Sequence, residues 1–215
     1  MNPKVIDLFA GCGGLSLGLE QAGFEPVFVN ELNINAMGTY LLNRSHLELS
    51  GNDGHSFDIK DVSSTKQTAQ EFGRMIKEKH GEIALVCGGP PCQGFSGIGH
   101  RRTFNLTKEE MPTNHLYRDM AAVVESVAPK MFLFENVRGL LNSKWTASGE
   151  NGEIWQDVQK AFRDIEVSIR GKKYRYLIGW RLVFAKDFGV AQNRPRVIMV
   201  GLREDVPFNA SDSQD

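Results

Sequence analysis

Four short runs constrain the fold of this chain more than any other feature: VIDLFA at 5–10, PVFVNE at 26–31, IALVCGG at 83–89 and MFLFENV at 131–137. Each is nearly all apolar with little polar alternation, as a parallel strand covered on both faces must be. Between them lie stretches with helical spacing: LSLGLEQAG (15–23, stopped by Gly23), NINAMGTYLLN (33–43), FGRMIKEKH (72–80) and RDMAAVVESV (118–127). Strands alternating with helices predict the α/β class, an open and mostly parallel Rossmann-like sheet with helices on both faces. After Val137 the order loosens into a polar loop, NSKWTASGENGE, followed by an amphipathic IWQDVQKAFRDI. Two late strands, within YRYLIGWRLVFA and RVIMVGLRE, flank KDFGVAQNRP and are expected to form an edge hairpin. No internal repeat or interdomain linker is visible, so one domain is expected over 1–203, with 204–215 a short polar tail.

At 215 residues, 41% hydrophobic and 24% charged, the chain can build an ordinary globular core. Its net charge of -1 carries no global basic signature, so contact with nucleic acid has to come from local patches or from another chain. Three cysteines, Cys12, Cys87 and Cys92, are an odd number without CxxC or CxxH spacing. That argues against a disulfide framework and against a zinc site, and fits a reducing, cytoplasmic location with no metal. The opening MNPKVIDLFAGCGG has no long apolar stretch, so neither a signal peptide nor a membrane span is expected.

Gly11, Gly13 and Gly14 stand where the first strand hands over to the first helix, the usual seat of a nucleotide-like ligand in an α/β sheet. The spacing is neither GxGxxG nor that of a Walker loop, which disfavours a pyrophosphate and leaves room for S-adenosylmethionine. Glu31, at the end of the second run and 20 residues after Gly11, could accept hydrogen bonds from both ribose hydroxyls, and Asp58 in FDIK could take the adenine amine. The plainer alternative is a tight turn with two solvated acids.

GGPPCQGFSG at 88–97 ends the third strand and brings Pro90, Pro91 and Cys92 to the rim shared by Gly11 and Glu31. Prolines fix backbone angles and glycines let a flat ligand approach, so such a loop presents a thiol. A nucleophilic cysteine acts as its thiolate, which loop amides or a nearby cation favour. Cys87 reads instead as a packed thiol and Cys12 as a small neighbour of the glycine turn. The fourth strand carries Glu135 to the same rim, where partial burial would keep a proton ready for donation. QNRPRV supplies Arg194 and Arg196, two residues apart at the start of a strand and aimed at one face. Without the cysteine loop, both would read as a solvated strand end or as salt-bridge partners of nearby acids.

DLFAGCGGLSLGLEQAGF, ELN, GGPPCQGFS, FENV and QNRPRV, in this order, closely resemble the sequence blocks of DNA (cytosine-5) methyltransferases, over residues 4–203. The resemblance implies a methyltransferase sheet, S-adenosyl-L-methionine as cofactor, DNA containing the target cytosine as partner, and a base flipped out of the helix. It makes Cys92 the nucleophile on ring carbon 6 and Glu135 the group at ring nitrogen 3, with Arg196 holding the adduct and Arg194 supporting it. Phe9, Gly11, Gly13, Glu31, Leu32, Asp58, Ile59, Pro91 and Leu116 are implied as cofactor contacts. Ser96, Gly97, Arg101 and Arg102 are implied in a mobile loop, the arginines near phosphates.

Two departures from the family pattern stand out. Leu32 occupies a position usually held by a bulky aromatic, which loosens the expected adenine packing. The family also continues into a target-recognition region and a final block beyond this length, so a partner chain or a missing C-terminal region is expected to carry recognition. The basic RGKKYRY at 170–176 is open to backbone contact or simple solvation, the latter preferred. Cytosine methylation of transfer RNA and a non-catalytic regulatory role remain as alternatives. A redox thiol enzyme would need a resolving cysteine or a paired histidine, and the loop offers only His100.

Overall fold

The computed structural model describes residues 2–51, 53–91, 115–146 and 148–207. β1 (Lys4–Leu8), β2 (Glu25–Asn30), β3 (His55–Ser56), β4 (Leu85–Gly88) and β5 (Met131–Val137) are parallel neighbours in a seven-stranded sheet of order β3-β2-β1-β4-β5-β9-β8. β8 (Tyr176–Phe184) and β9 (Pro195–Arg203) close one side as an antiparallel hairpin, with β9 against β5 and β8 at the edge. The sheet and its late edge hairpin are those expected from the apolar runs.

The helices are α1 (Gly14–Gln21), α2 (Ile34–Leu42), α3 (Lys60–Ser63), α4 (Lys66–His80), α5 (Leu116–Val127) and α6 (Glu153–Arg163). Local chemistry sets their ends. Asn33 caps α2 by accepting from the Asn35 and Ala36 amides, and Thr65 caps α4 by accepting from Thr68. α1 stops at Gly23, whose φ of 89° lets its amide and that of Phe24 turn back onto Glu20 and Leu19.

α4, α5 and α6 cover one face of the sheet. Phe72 and Ile76 of α4, Met120 and Val124 of α5, and Trp155 and Phe162 of α6 pack on Ile6, Leu8, Val86, Phe132 and Phe134. On the opposite face Leu15 and Leu19 of α1 pack toward Val5, Leu85 and Cys87, and Met37 and Tyr40 of α2 pack on Val29. Over the hairpin half of this second face the cover gives out. Leu177, paired across to Leu202, and Val200, paired to Leu133, are exposed.

Two features were not anticipated. β3 and α3 insert between α2 and α4, and RGKKYRY supplies the turn and second strand of a separate two-stranded sheet, β6 (Val167–Ile169) and β7 (Lys172–Tyr174). Arg170 and Gly171 turn between these strands, both at positive φ (52° and 79°), as a two-residue hairpin requires. Part of the basic charge here is met locally, because Lys173 Nζ lies 2.6 Å and Arg175 Nη2 3.9 Å from Glu166.

Candidate active site

Strand register assembles the rim. Leu8 pairs with Asn30 on one side and Gly88 on the other, and Gly88 pairs with Phe134. The next residue of each strand, Phe9, Glu31, Gly89 and Glu135, therefore arrives at one edge of the sheet. Between β1 and β4 the strand order reverses, which opens the crevice where α/β sheets receive ligands.

The turn after β1 has three residues in the left-handed region: Phe9 (φ 56°), Gly11 (φ 56°) and Gly13 (φ 87°). For an aromatic residue this conformation costs on the order of 1–3 kcal/mol, and such strain clusters at ligand sites. Glu31 grips the turn, its Oε2 accepting from the Gly11 amide (2.8 Å) and its Oε1 from the Asn33 amide (2.8 Å). A carboxylate offers about four acceptor positions, so two remain for hydroxyl donors. A Cβ placed on Gly11 would meet nothing within 4 Å, so space lies open above it. A Cβ on Gly13 would come within 2.5 Å of Arg44 Nη1 and 2.7 Å of the Tyr40 ring, so that glycine is required for packing.

A buried polar chain lies under the turn. Asp7, 1% exposed in the middle of β1, accepts from Ser16 Oγ (2.6 Å) and Cys87 Sγ (3.5 Å), and Ser16 also meets the Tyr40 hydroxyl (2.7 Å). Loss of water raises the Asp7 carboxyl to about 6, with the Ser16 hydrogen bond opposing the shift. Burial likewise pushes the Cys87 thiol and the Tyr40 phenol well up, so Cys87 is a packed thiol.

Asp58 stands exposed beyond β3, its Oδ1 accepting from the Lys60 amide (2.9 Å), beside buried Ile59. Leu32 and Ile34, in the segment that follows β2, and Phe57, in the one that follows β3, are also left exposed. Leu116 opens α5, half-buried against the main core. One turn on, buried Asp119 accepts from Lys60 Nζ (2.6 Å) and Ser63 Oγ (2.8 Å), tying the α3 segment to α5. The open space, the acceptor capacity of Glu31 and these uncovered apolar groups fit an adenosine-like ligand.

On the other side of the crevice, Glu135 Oε1 meets Arg196 Nε at 2.6 Å. Both project on one face because Glu135 pairs with Ile198 and Val137 with Arg196 across the antiparallel ladder. Gly89 lies against the carboxylate: a Cβ there would sit 2.9 Å from Glu135 Oε2. Asn136, facing the other way and buried, donates from Nδ2 to the Pro90 carbonyl (2.9 Å), so β5 holds the start of the proline loop, up to exposed Pro91. Arg194 was expected to join Arg196 on the strand face, but β9 begins one residue after it. It is exposed in the preceding turn, its carbonyl accepting from the Ala185 amide (3.2 Å). Cys92, Ser96, Gly97, Arg101 and Arg102 lie outside the described residues.

Sequence reading did not single out Asn136, Asp119 or Arg44. A polar residue inside the apolar MFLFENV was a usable signal for Asn136, whereas the partners of the other two are set only by the tertiary fold. Among the described residues no group of three or more His, Cys, Asp or Glu is placed to hold a metal ion, and no helix is long and apolar enough to cross a membrane.

Comparisons with known proteins show which family the chain belongs to. The chain is 32% identical to the type II methyltransferase M.AquIA of Picosynechococcus sp., over 94% of its own length and 73% of the relative. It is 32% identical to M.DdeI of Desulfomicrobium norvegicum, over 96% of its own length and 42% of that protein. A crystal structure of a candidate DNA modification methyltransferase encoded within an E. coli prophage superposes with a TM-score of 0.67 at 27% identity, covering 98% of this chain and 49% of that one. The chain thus spans less than half of these last two proteins. The family model for C-5 cytosine-specific DNA methylases matches residues 3–215, and the chain belongs to that family.

Proposed function

We propose that this chain is the cofactor-binding and catalytic part of an enzyme that methylates carbon 5 of a flipped cytosine in DNA, with S-adenosyl-L-methionine as methyl donor and Cys92 as nucleophile. The observation that carries the reading is the Glu135–Arg196 pair, held at 2.6 Å on the rim that also bears the glycine turn strained at Phe9 and the Asn136-tethered proline loop. Residues 1–203 would act as one catalytic domain, and a free nucleophilic thiol suits the reducing cytoplasm.

Carbon 5 of cytosine is too weak a nucleophile to take a methyl group unaided. The Cys92 thiolate adds to carbon 6, and Glu135 delivers a proton to nitrogen 3, so the electron pair of the broken 5,6 double bond becomes available at carbon 5. Arg196 orients the Glu135 carboxyl, and Gly89 leaves room for it beside the loop. Glu31 would accept the ribose hydroxyls and Asp58 the adenine amine, with Phe9, Gly11, Gly13, Leu32, Ile59, Pro91 and Leu116 forming the walls. Bound S-adenosylmethionine supplies the electrophilic methyl carbon. Carbon 5 would take that methyl carbon as its bond to the sulfonium sulfur breaks, leaving a neutral thioether. Loss of the carbon 5 proton to a base then restores the double bond and expels the Cys92 thiolate, and nitrogen 3 returns its proton to Glu135.

Target recognition is assigned to a region or partner chain outside these 215 residues. The uncovered apolar face around Leu177 and Val200 and the greater length of most relatives support that assignment.

The test is transfer of labelled methyl groups in the presence of the recognition region, with DNA and transfer RNA offered separately. Cys92→Ser should reduce transfer to DNA by about a thousandfold or more while leaving cofactor affinity within about twofold. Ordinary turnover by the serine variant overturns the nucleophile assignment, and methylation of transfer RNA alone overturns DNA as the substrate.

A further inference from the structure

We infer that Arg44, which lies beyond the end of α2 and outside every motif, is a positioning residue for the cofactor turn, gripping it opposite Glu31. This rests on the proposal that the Gly11–Gly13 turn receives the cofactor.

Arg44 is almost wholly buried, with its side chain 5% exposed. Its guanidinium is engaged on every side. Nε and Nη2 donate to the two Glu20 oxygens (2.8 and 2.9 Å), Nη2 also donates to the Gly13 carbonyl (3.0 Å), and Nη1 reaches the Tyr40 carbonyl (3.5 Å). The plane lies over the Tyr40 ring at 4.0 Å. Burying a guanidinium is costly unless it is paired and fully hydrogen-bonded, and an apolar side chain of similar volume would fill this space without that cost. What an apolar side chain could not do is hold a carbonyl.

That carbonyl is critical to the turn. Gly13 caps α1, and its oxygen also takes the first helical hydrogen bond, from the Leu17 amide (3.0 Å). The Gly13 amide closes back onto Ala10 (2.9 Å), and the Gly11 amide goes to Glu31 (2.8 Å). The turn is therefore fastened at its amide side by a residue just before α2 and at its carbonyl side by one just after it. α2 is nine residues long, about 13 Å at the helical rise, and behaves as a single rod, so it carries both grips together. The missing Gly13 side chain completes the interlock, because Arg44 Nη1 and the Tyr40 ring occupy the place a Cβ would take. A lysine would keep the charge but lacks the planar fork that reaches Glu20 and Gly13 at once.

The experiment uses the complete enzyme, with Arg44→Lys and the milder Glu20→Gln. Calorimetry gives cofactor affinity, steady-state assays give turnover at saturating cofactor, and glycine-labelled NMR gives the amide signals of Gly11, Gly13 and Gly14. Arg44→Lys is expected to weaken S-adenosylmethionine binding about tenfold, to shift the three glycine signals and to leave turnover at saturating cofactor near wild type. Glu20→Gln, which keeps the fork and the fold, is expected to move affinity and signals in the same direction by a smaller amount.

Glycine signals unmoved in both variants, or cofactor affinity unchanged while they move, would overturn the inference. A parallel fall in affinity, turnover and thermal stability would also overturn it, since that is the mark of a merely structural side chain. Wild-type enzyme that binds no cofactor would refute the cofactor reading and this inference with it. Normal wild-type binding alongside unchanged Arg44→Lys binding refutes this inference alone.

Discussion

Asp7 is a carboxyl group taken out of water in the centre of a sheet, and its folded value of about 6 stands well above the ordinary 3.8. Between those two values the folded chain holds a proton that the unfolded chain has released, so stability falls as pH rises through roughly 4 to 6. The shift corresponds to about 3 kcal/mol. Asp7→Asn removes this arm, so its stability relative to wild type should rise by about 2–3 kcal/mol between pH 4 and pH 7 in urea denaturation. Parallel pH profiles for the two proteins would show that Asp7 does not titrate in this window. Single residues differ in how far the sequence exposes them. Glu31, Glu135 and Arg196 stand at the ends of apolar runs, where a solvated charge is ordinary, and only their company, the glycine turn and the proline–cysteine loop on the same rim, singled them out in the sequence. Asp7, a charge inside such a run, was not singled out, and its link through Ser16 to Tyr40 is made only by the fold. Arg44 left no trace, because its contact with Gly13 spans 31 residues and only the folded packing creates it.

At the scale of elements, the long helices and the central strands announced themselves through their patterns, whereas α3, β3, β6 and β7, with four, two, three and three residues, are too short for a pattern to repeat. A four-residue helix has almost no stability of its own, so α3 depends on what holds it. Asp119 does so through Lys60 and Ser63. Asp119→Ala is expected to lower folding stability by about 1–3 kcal/mol and to weaken cofactor binding several-fold, through Asp58 and Ile59 at the start of the same segment. Asn136→Ala should do the reverse. It frees the Pro90 carbonyl at the start of the proline loop that precedes Cys92, the proposed nucleophile, so turnover should fall at least tenfold while calorimetry finds cofactor affinity little changed. Equal effects of both substitutions on cofactor affinity would mean that the two walls of the crevice are not separately supported.

For the whole molecule, a net charge of -1 offers little to a polyanion whose binding depends on neutralised phosphates. The 215-residue chain alone should therefore shift labelled DNA weakly and turn over slowly, and addition of the recognition region should restore sequence-specific methylation with steeper salt dependence. Site-specific turnover at an ordinary enzymatic rate by the chain alone would place recognition within these residues. The strand order carries one more consequence, and it concerns time. Asp7 pairs with Cys87, 80 residues further on, so one edge of β1 must wait for its partner to be made. At ~5–20 residues per second the ribosome leaves that edge unpaired for about 4–16 s. Throughout that interval the nascent chain offers an apolar strand edge to any neighbour, and the yield of folded protein in the cell should depend on how well chaperones shield it.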